Sequence, residues 1–184
     1  MIGNDIVDLQ CARKESNWQR KGFLEKQFTD LEQEIIFRVE NSFETVWRLW
    51  SMKEAAYKVF MQKHNLPFYA PKKFNCEITS IREGIVYFED QTFFTKSIIN
   101  RCFIFTYATT EQSINGFSEI GSAKNIEDSI KKHIEQHTNS LFSKIKQKKS
   151  ISGAPNYYDD NIKLTKSCSI SHHGNYGAFS LLYN

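Results

Sequence analysis

No stretch of this 184-residue chain stays apolar long enough to cross a membrane as a helix. The first residues pass straight into a strand-like segment, with neither a basic n-region nor an apolar h-region, so no secretory signal is expected. No C-x-x-C pair occurs. Cys11, Cys76, Cys102 and Cys168 are scattered, which excludes the usual zinc and disulfide frameworks and reads as reduced thiols, mostly in the core, of a cytoplasmic protein. Internal repeats and low-complexity segments are absent as well. A net charge of only +3 suits an acidic partner or a phosphorylated ligand without demanding nucleic acid. What the chain does have is apolar mass. A hydrophobic fraction of 40%, with 15 Phe and 8 Tyr, suffices for one packed domain or two small subdomains sharing a core.

Residues 1–9 read as a strand, and a polar helix anchored by Trp18 is expected over 10–21. Thr29 followed by Glu32 has the spacing of a capping box, opening a helix that should turn Leu31, Ile35 and Ile36 to the core. Asn41 and Glu44 repeat that pattern at the start of a helix running to Lys63 or His64, with Pro67 barring further extension. Strands are expected within 76–110, with 78–81 and 85–88 flanking a turn at Arg82-Glu83-Gly84 and a buried strand over 102–108. Residues 124–149 read as an amphipathic helix through Ile126, Ile130, Ile134, Leu141, Phe142 and Ile145, its end carrying Lys144, Lys146, Lys148 and Lys149. A loop over 150–155 and a strand pair through 168–174 and 176–182 close an α+β fold, an antiparallel sheet packed with helices.

Two short segments carry chemistry. Trp50-Ser51-Met52-Lys53-Glu54-Ala55-Ala56-Tyr57-Lys58 puts a carboxylate and an ammonium four residues apart on a helix whose same stripe holds Trp47, Trp50, Tyr57 and Met61. Gly3-Asn4-Asp5-Ile6-Val7-Asp8 places acids on an apolar strand. One carboxylate from each would suit Mg²⁺, which takes one or two protein carboxylates and leaves its other positions to water and phosphate. Lys58 would then face the anion. Singly, each segment reads equally well as something plainer: strand-end acids as turn or cap residues, Lys53, Glu54 and Lys58 as a solvated helix face, and Ser169-Ile170-Ser171-His172 as a polar strand edge.

Together and in this order, the segments resemble the 4′-phosphopantetheinyl transferase superfamily. Gly3-Asn4-Asp5-Ile6 is similar to its Gly-x-Asp-Ile/Val signature, and Trp50 to Lys58 to its Trp/Phe-x-x-Lys-Glu-Ala/Ser-x-x-Lys signature. Phe28-Thr29 with Glu32 resembles the Phe-Thr-x-x-Glu segment of the holo-acyl-carrier-protein synthase branch. Gly153-Ala154-Pro155 and Ser169-Ile170-Ser171-His172 resemble that branch's Gly-Lys-Pro and Ser-Leu-Ser-His blocks. The likeness covers about the first 65 and the last 35 residues, leaving a single domain of residues 1–184 with an unplaced insertion over about 76–149. Trp50-Ser51-Met52 is closer to the longer, two-lobed branch, but Val7 stands where that branch has a third acidic metal ligand.

The resemblance implies transfer of phosphopantetheine from coenzyme A to a serine hydroxyl of an apo acyl or peptidyl carrier protein, with release of 3′,5′-ADP. It implies Mg²⁺ on Asp5 and Glu54, phosphate contacts from Lys58 and Lys53, and coenzyme A contacts from Ser171 and His172. Glu54, directly or through a metal-bound water, would take the serine proton. Asp8 and His173 have no assigned role, and His173 reads as an exposed loop residue. Arg13 and Lys14 stand where relatives meet the acidic carrier. One copy of each motif favours a homotrimer with the site at subunit interfaces. A non-catalytic coenzyme A or carrier-binding module is the alternative. Nucleic-acid binding is disfavoured, since no aromatic platform is interleaved with the basic cluster.

Overall fold

The computed structural model describes residues 1–64, 68, 70–114 and 116–183. Strand β1 (Ile2–Asp8) is followed by helices α1 (Leu9–Glu15), α2 (Phe23–Gln27), α3 (Asp30–Arg38) and α4 (Ser42–His64). Strands β2 (Asn75–Ile78), β3 (Glu83–Phe88), β4 (Gln91–Ile99) and β5 (Phe103–Thr109) return to β1 in an antiparallel sheet of order β1-β5-β4-β3-β2. The chain continues through β6 (Phe117–Ser122), α5 (Ile126–His137), β7 (Ile145–Lys149), β8 (Pro155–Asp159), β9 (Ile162–Lys163), β10 (Ser167–His173) and β11 (Tyr176–Leu182). These form two further antiparallel sheets, β10-β11-β6 and β7-β8-β9. The class is α+β, antiparallel sheets packed with helices, as expected.

Helix α4 spans 23 residues without Gly or Pro, and the Asn41 side chain accepts from the Glu44 N–H to satisfy its first turn. Its apolar stripe, Val46, Leu49, Met52, Ala56, Val59 and Phe60, is buried on the five-stranded sheet. Below its last turns Phe60, Phe68, Phe74 and Phe88 pack ring on ring, the Phe74 and Phe88 centroids 4.4 Å apart. Pro67, expected to stop the helix, lies outside the described residues. A second core forms where α5 covers β10 and β11 through Ile126, Ile130, Ile134, Phe179 and Leu181. Ile6, Phe105 and Ala178 join the two halves.

Several expected elements take other forms. Helix α1 begins one residue early, capped by Asp8, and stops at Ser16 rather than running to Lys21. The capping box of α3 is present, yet Leu31 is 67% exposed while Ile36 is buried. The β2–β3 turn falls over residues 79–82, because Ser80 Oγ accepts from the N–H groups of Arg82 and Glu83. Helix α5 ends at His137, not Lys149. Thr138 adopts extended backbone, and Thr138-Asn139-Ser140 is rich in side chains that compete for backbone hydrogen bonds. Lys146, Lys148 and Lys149 therefore lie on strand β7 and have no helix dipole to complement. The stretch left unplaced by the sequence supplies β2–β5, which complete the sheet of β1, and then β6, α5 and β7.

Candidate active site

Strand β1 is an edge strand, so its outward N–H groups need partners. Strand β10 supplies them, lying parallel to β1 and bonding it through side chains rather than through a backbone ladder. Ser167 Oγ accepts from the Ile2 N–H at 2.9 Å, Ser169 Oγ from Asn4 at 2.9 Å and His173 Nδ1 from Asp8 at 3.0 Å, each pair 165 residues apart. Gln62 of α4 extends the seam, donating to Ile2 O and accepting from Ser167 Oγ.

The series is interrupted at one step. The same spacing sets Ser171 opposite Ile6, but the Ser171 hydroxyl is buried without a partner. The Ile6 N–H instead helps hold the charge of the Asp5 carboxyl. Asp5 Oδ2 is also buried and unpartnered. Two buried polar atoms without partners thus occur on the facing strands where the seam is interrupted, against the rule that buried polar groups find partners.

Helix α4 forms the other wall. Gly3 lets it approach: a Cβ there would lie 2.2 Å from the Ala55 carbonyl oxygen. Lys58 Nζ donates to Asn4 O at 2.7 Å and stands 3.7 Å from Asp5 Oδ1. Glu54, one turn earlier, flanks a recess of about 20 Å³ walled by Tyr57, Phe68, Pro71 and Phe74. Burial pushes the Glu54 carboxyl up to about 7, the charge of Asp5 adds to the shift, and Lys58 opposes it. Burial also raises Asp5 above the usual carboxylate range, with Lys58 opposing most strongly. Two cavities adjoin these residues. One of about 360 Å³ lies between Lys58, Gly153-Ala154-Pro155 and Ser169; another of about 330 Å³ is lined by Asp5, Trp47, Trp50, His172 and His173.

The carboxyl pair suits a hard divalent cation: an unpartnered buried oxygen and a neighbouring acid whose ionisation is held back by burial and by the charge of Asp5. Val7 is buried and offers no ligand. A second grouping, Cys11, Glu15 and His173, has ligand atoms within 4.8 Å of one another. There, however, His173 Nδ1 is already an acceptor, so Nε2 bears the ring proton and presents no lone pair.

Lys53 requires correction. It is 1% exposed, and its ammonium donates to Glu32 Oε2 at 2.8 Å and to the carbonyls of Pro71 and Phe74. All three protons are taken, so none remains for a phosphate. Glu32, read only as a capping residue, also accepts from the Thr29 and Cys76 N–H groups and neutralises Lys53 within the core. His173 is likewise not an exposed loop residue. It belongs to β10 and is half-buried.

Asp8 caps α1 by accepting from Gln10 and Cys11, and accepts from Asn175 as well. Burial works against its charge, yet these N–H groups outweigh burial and hold its carboxyl below the usual range. The seam role of Ser167 and Ser169 had a signal in the sequence: every second position of an otherwise apolar strand is polar, through Ser171. Asp5, His172 and His173 line one cavity of a single chain.

The family model described as the 4′-phosphopantetheinyl transferase superfamily matches residues 1–108, which includes the strands of the first sheet that the motifs left unplaced. The Gly153 and Ser169–His172 segments lie beyond that span. No curated protein matches the chain. Among solved structures, the holo-[acyl-carrier-protein] synthase of Thermotoga maritima is similar over 88% of this chain and 83% of its own, at 11% identity and a TM-score of 0.47. With the family model covering more than half of its length, the chain belongs to the 4′-phosphopantetheinyl transferase superfamily.

Proposed function

We propose that this protein transfers 4′-phosphopantetheine from coenzyme A to a serine hydroxyl of an apo acyl or peptidyl carrier protein, releasing 3′,5′-ADP, in the manner of a holo-acyl-carrier-protein synthase. One observation carries the reading: the Asp5 carboxyl, whose Oδ2 is buried without a partner, lies against both Glu54, raised to about 7 by burial and by the charge of Asp5, and the cation of Lys58. A binding module needs no carboxyl poised near neutrality. A group that must accept a proton during turnover does.

Asp5 and Glu54 would hold Mg²⁺, which when bound supplies positive charge to the pyrophosphate oxygens. Lys58 is anchored on Asn4 O and so holds its ammonium at a set position for a phosphate oxygen. Glu54 accepts the serine proton as the serine oxygen bonds to phosphorus and the bond to the ADP oxygen breaks. His172, exposed at the lip of the 330 Å³ cavity, and the Ser171 hydroxyl contact the coenzyme A phosphates. The protein acts as a single unit of residues 1–184, with both halves of the site in one chain. Four unpaired cysteines support the cytoplasm as its compartment.

The test is intact mass. Purified protein is incubated with coenzyme A, Mg²⁺ and apo acyl or peptidyl carrier proteins, and each carrier is weighed. A gain of one phosphopantetheine group, abolished by Asp5→Ala and by Glu54→Ala, is expected. Tight binding of coenzyme A without mass gain on any carrier would contradict transfer and favour the binding module.

A further inference from the structure

Away from the reacting centre, the second half of the chain carries a stack of four rings. His133 and His137 stand four residues apart on helix α5, so both side chains lie on one face of it. Their ring centroids are 4.0 Å apart. Phe117 of β6 packs on the His133 ring, with centroids 3.5 Å apart and planes 12° from parallel. Tyr183, the residue after β11, stacks on His137 at 5.9 Å and 19°. Within this group several polar atoms are left over. His133 is only 6% exposed, and its Nε2 has no hydrogen-bond partner among the described residues. The Tyr183 hydroxyl, on a ring 6.0 Å from that of His133, is buried and unpartnered as well. Buried polar groups ordinarily find partners, so two such atoms in one cluster need a reason. At His137 the tautomer is set. Its Nδ1 lies 2.8 Å from the His133 carbonyl oxygen, which can only accept, so Nδ1 carries the proton and Nε2 keeps its lone pair.

We propose that His133 and His137 bind a transition-metal ion of the Zn²⁺ class through their Nε2 atoms, with water on its remaining positions and the Tyr183 hydroxyl bonded to one of those waters. Two histidines four apart on one helical face have the spacing by which a helix chelates Zn²⁺. The ion gives the buried Nε2 of His133 and the Tyr183 hydroxyl the partners they lack. Histidine ring torsions are broad, so the exposed His137 at the helix end can pivot to bring its lone pair onto an ion shared with His133, which Phe117 holds in place. Nitrogen donors prefer Zn²⁺, Cu²⁺ or Ni²⁺ to the oxygen-seeking Mg²⁺, which separates this site by its chemistry from the Asp5 and Glu54 carboxyls. The ion joins the end of α5 to the residue after β11, and so acts on the packing of the second core rather than on the reacting centre. The proposal does not depend on the transfer reaction.

The experiment titrates the full chain with Zn²⁺ in excess Mg²⁺, without coenzyme A, and reads binding by calorimetry and by long-range ¹H–¹⁵N spectra of the histidine rings. Binding is expected to move the Nε2 resonances of His133 and His137 together, and to raise the melting temperature of the wild type. His137→Ala changes an exposed side chain, and His133→Phe keeps a ring between its neighbours; melting temperatures without metal check that both fold. Each should bind Zn²⁺ at least tenfold more weakly, and neither should gain melting temperature from it. Asp5→Ala and Cys11→Ala, which remove the other groups able to hold a cation, should bind as tightly as the wild type. Four results would overturn the site: no Zn²⁺ binding by the wild type, resonance shifts confined to His172 and His173, affinity within twofold of wild type in both histidine variants, or loss of binding in Asp5→Ala or Cys11→Ala.

Discussion

The backbone N–H of Asp8 donates to His173 Nδ1 across 3.0 Å, joining two residues 165 positions apart. A single bond thus ties the end of β1 to the end of β10, and the Asp8 carboxyl reinforces it by accepting from the Asn175 N–H at 3.1 Å. Gly174 between them has φ +55, and a Cβ there would lie 2.5 Å from Asp8 Oδ2, so the turn and the acid fit only as they are.

This bond fixes the His173 tautomer. With Nδ1 accepting, the ring proton resides on Nε2. Long-range ¹H–¹⁵N spectra should show His173 as the Nε2–H form; an Nδ1–H form would refute the seam. His173→Phe keeps the ring volume and strands the Asp8 N–H, which should cost about 1–3 kcal/mol in denaturant unfolding.

Lys53 and Glu32 make a structural pair, not a substrate contact. Lys53→Ala leaves a buried carboxylate without its counter-charge and should destabilise the fold by about 3–5 kcal/mol. Joint replacement, Lys53→Met with Glu32→Gln, should recover much of that loss. Coenzyme A affinity per folded molecule should stay at the wild-type value in both; a selective loss of affinity without loss of stability would reassign Lys53 to the ligand site.

Gly3→Ala tests the close approach of β1 and α4. A Cβ 2.2 Å from the Ala55 carbonyl must push the helix outward, at a cost of roughly 1–3 kcal/mol or more. A melting temperature equal to wild type would mean that the two elements are not in contact there.

Glu54 gives the pH dependence a sign. Its pKa is about 7 in the folded chain against an ordinary value of 4.5, so between those values the native state holds a proton that the unfolded chain has lost. Its contribution is intact below about pH 4.5 and is lost as pH rises through about 7. In metal-free buffer with chelator, stability should fall by about 1–2 kcal/mol across that window, allowing for the partial exposure of the side chain. Glu54→Gln should flatten that part of the curve. A wild-type curve that rises through the window, or one unchanged by Glu54→Gln, would show that Glu54 titrates normally.

The parts of the molecule legible in the sequence are those set by local chemistry. The cap at Asn41, the capping box of Thr29 and Glu32, and the unbroken helix through Trp50 to Lys58 all follow from neighbours within a few residues. What stayed hidden depended on contacts far along the chain. Nothing near Lys53 says that its ammonium is spent on Glu32 and two carbonyls, and nothing near His173 says that its ring meets Asp8. Beyond His137 the helical spacing of apolar residues continued by coincidence, while the alternation of Lys146 and Lys148 with Ile145 and Gln147 was the strand pattern that formed.

The central claim is that one chain holds a complete phosphopantetheine-transfer site, with Asp5 and Glu54 on one wall and His172 on the other. Mixing two inactive variants tests it most directly: Asp5→Ala and His172→Ala are incubated separately and together with coenzyme A, Mg²⁺ and an apo carrier protein, and the carrier is weighed. The wild type should add one phosphopantetheine group, and each variant alone and their mixture should add none. Transfer recovered in the mixture would show that the two walls come from different subunits, contradicting the single-chain site.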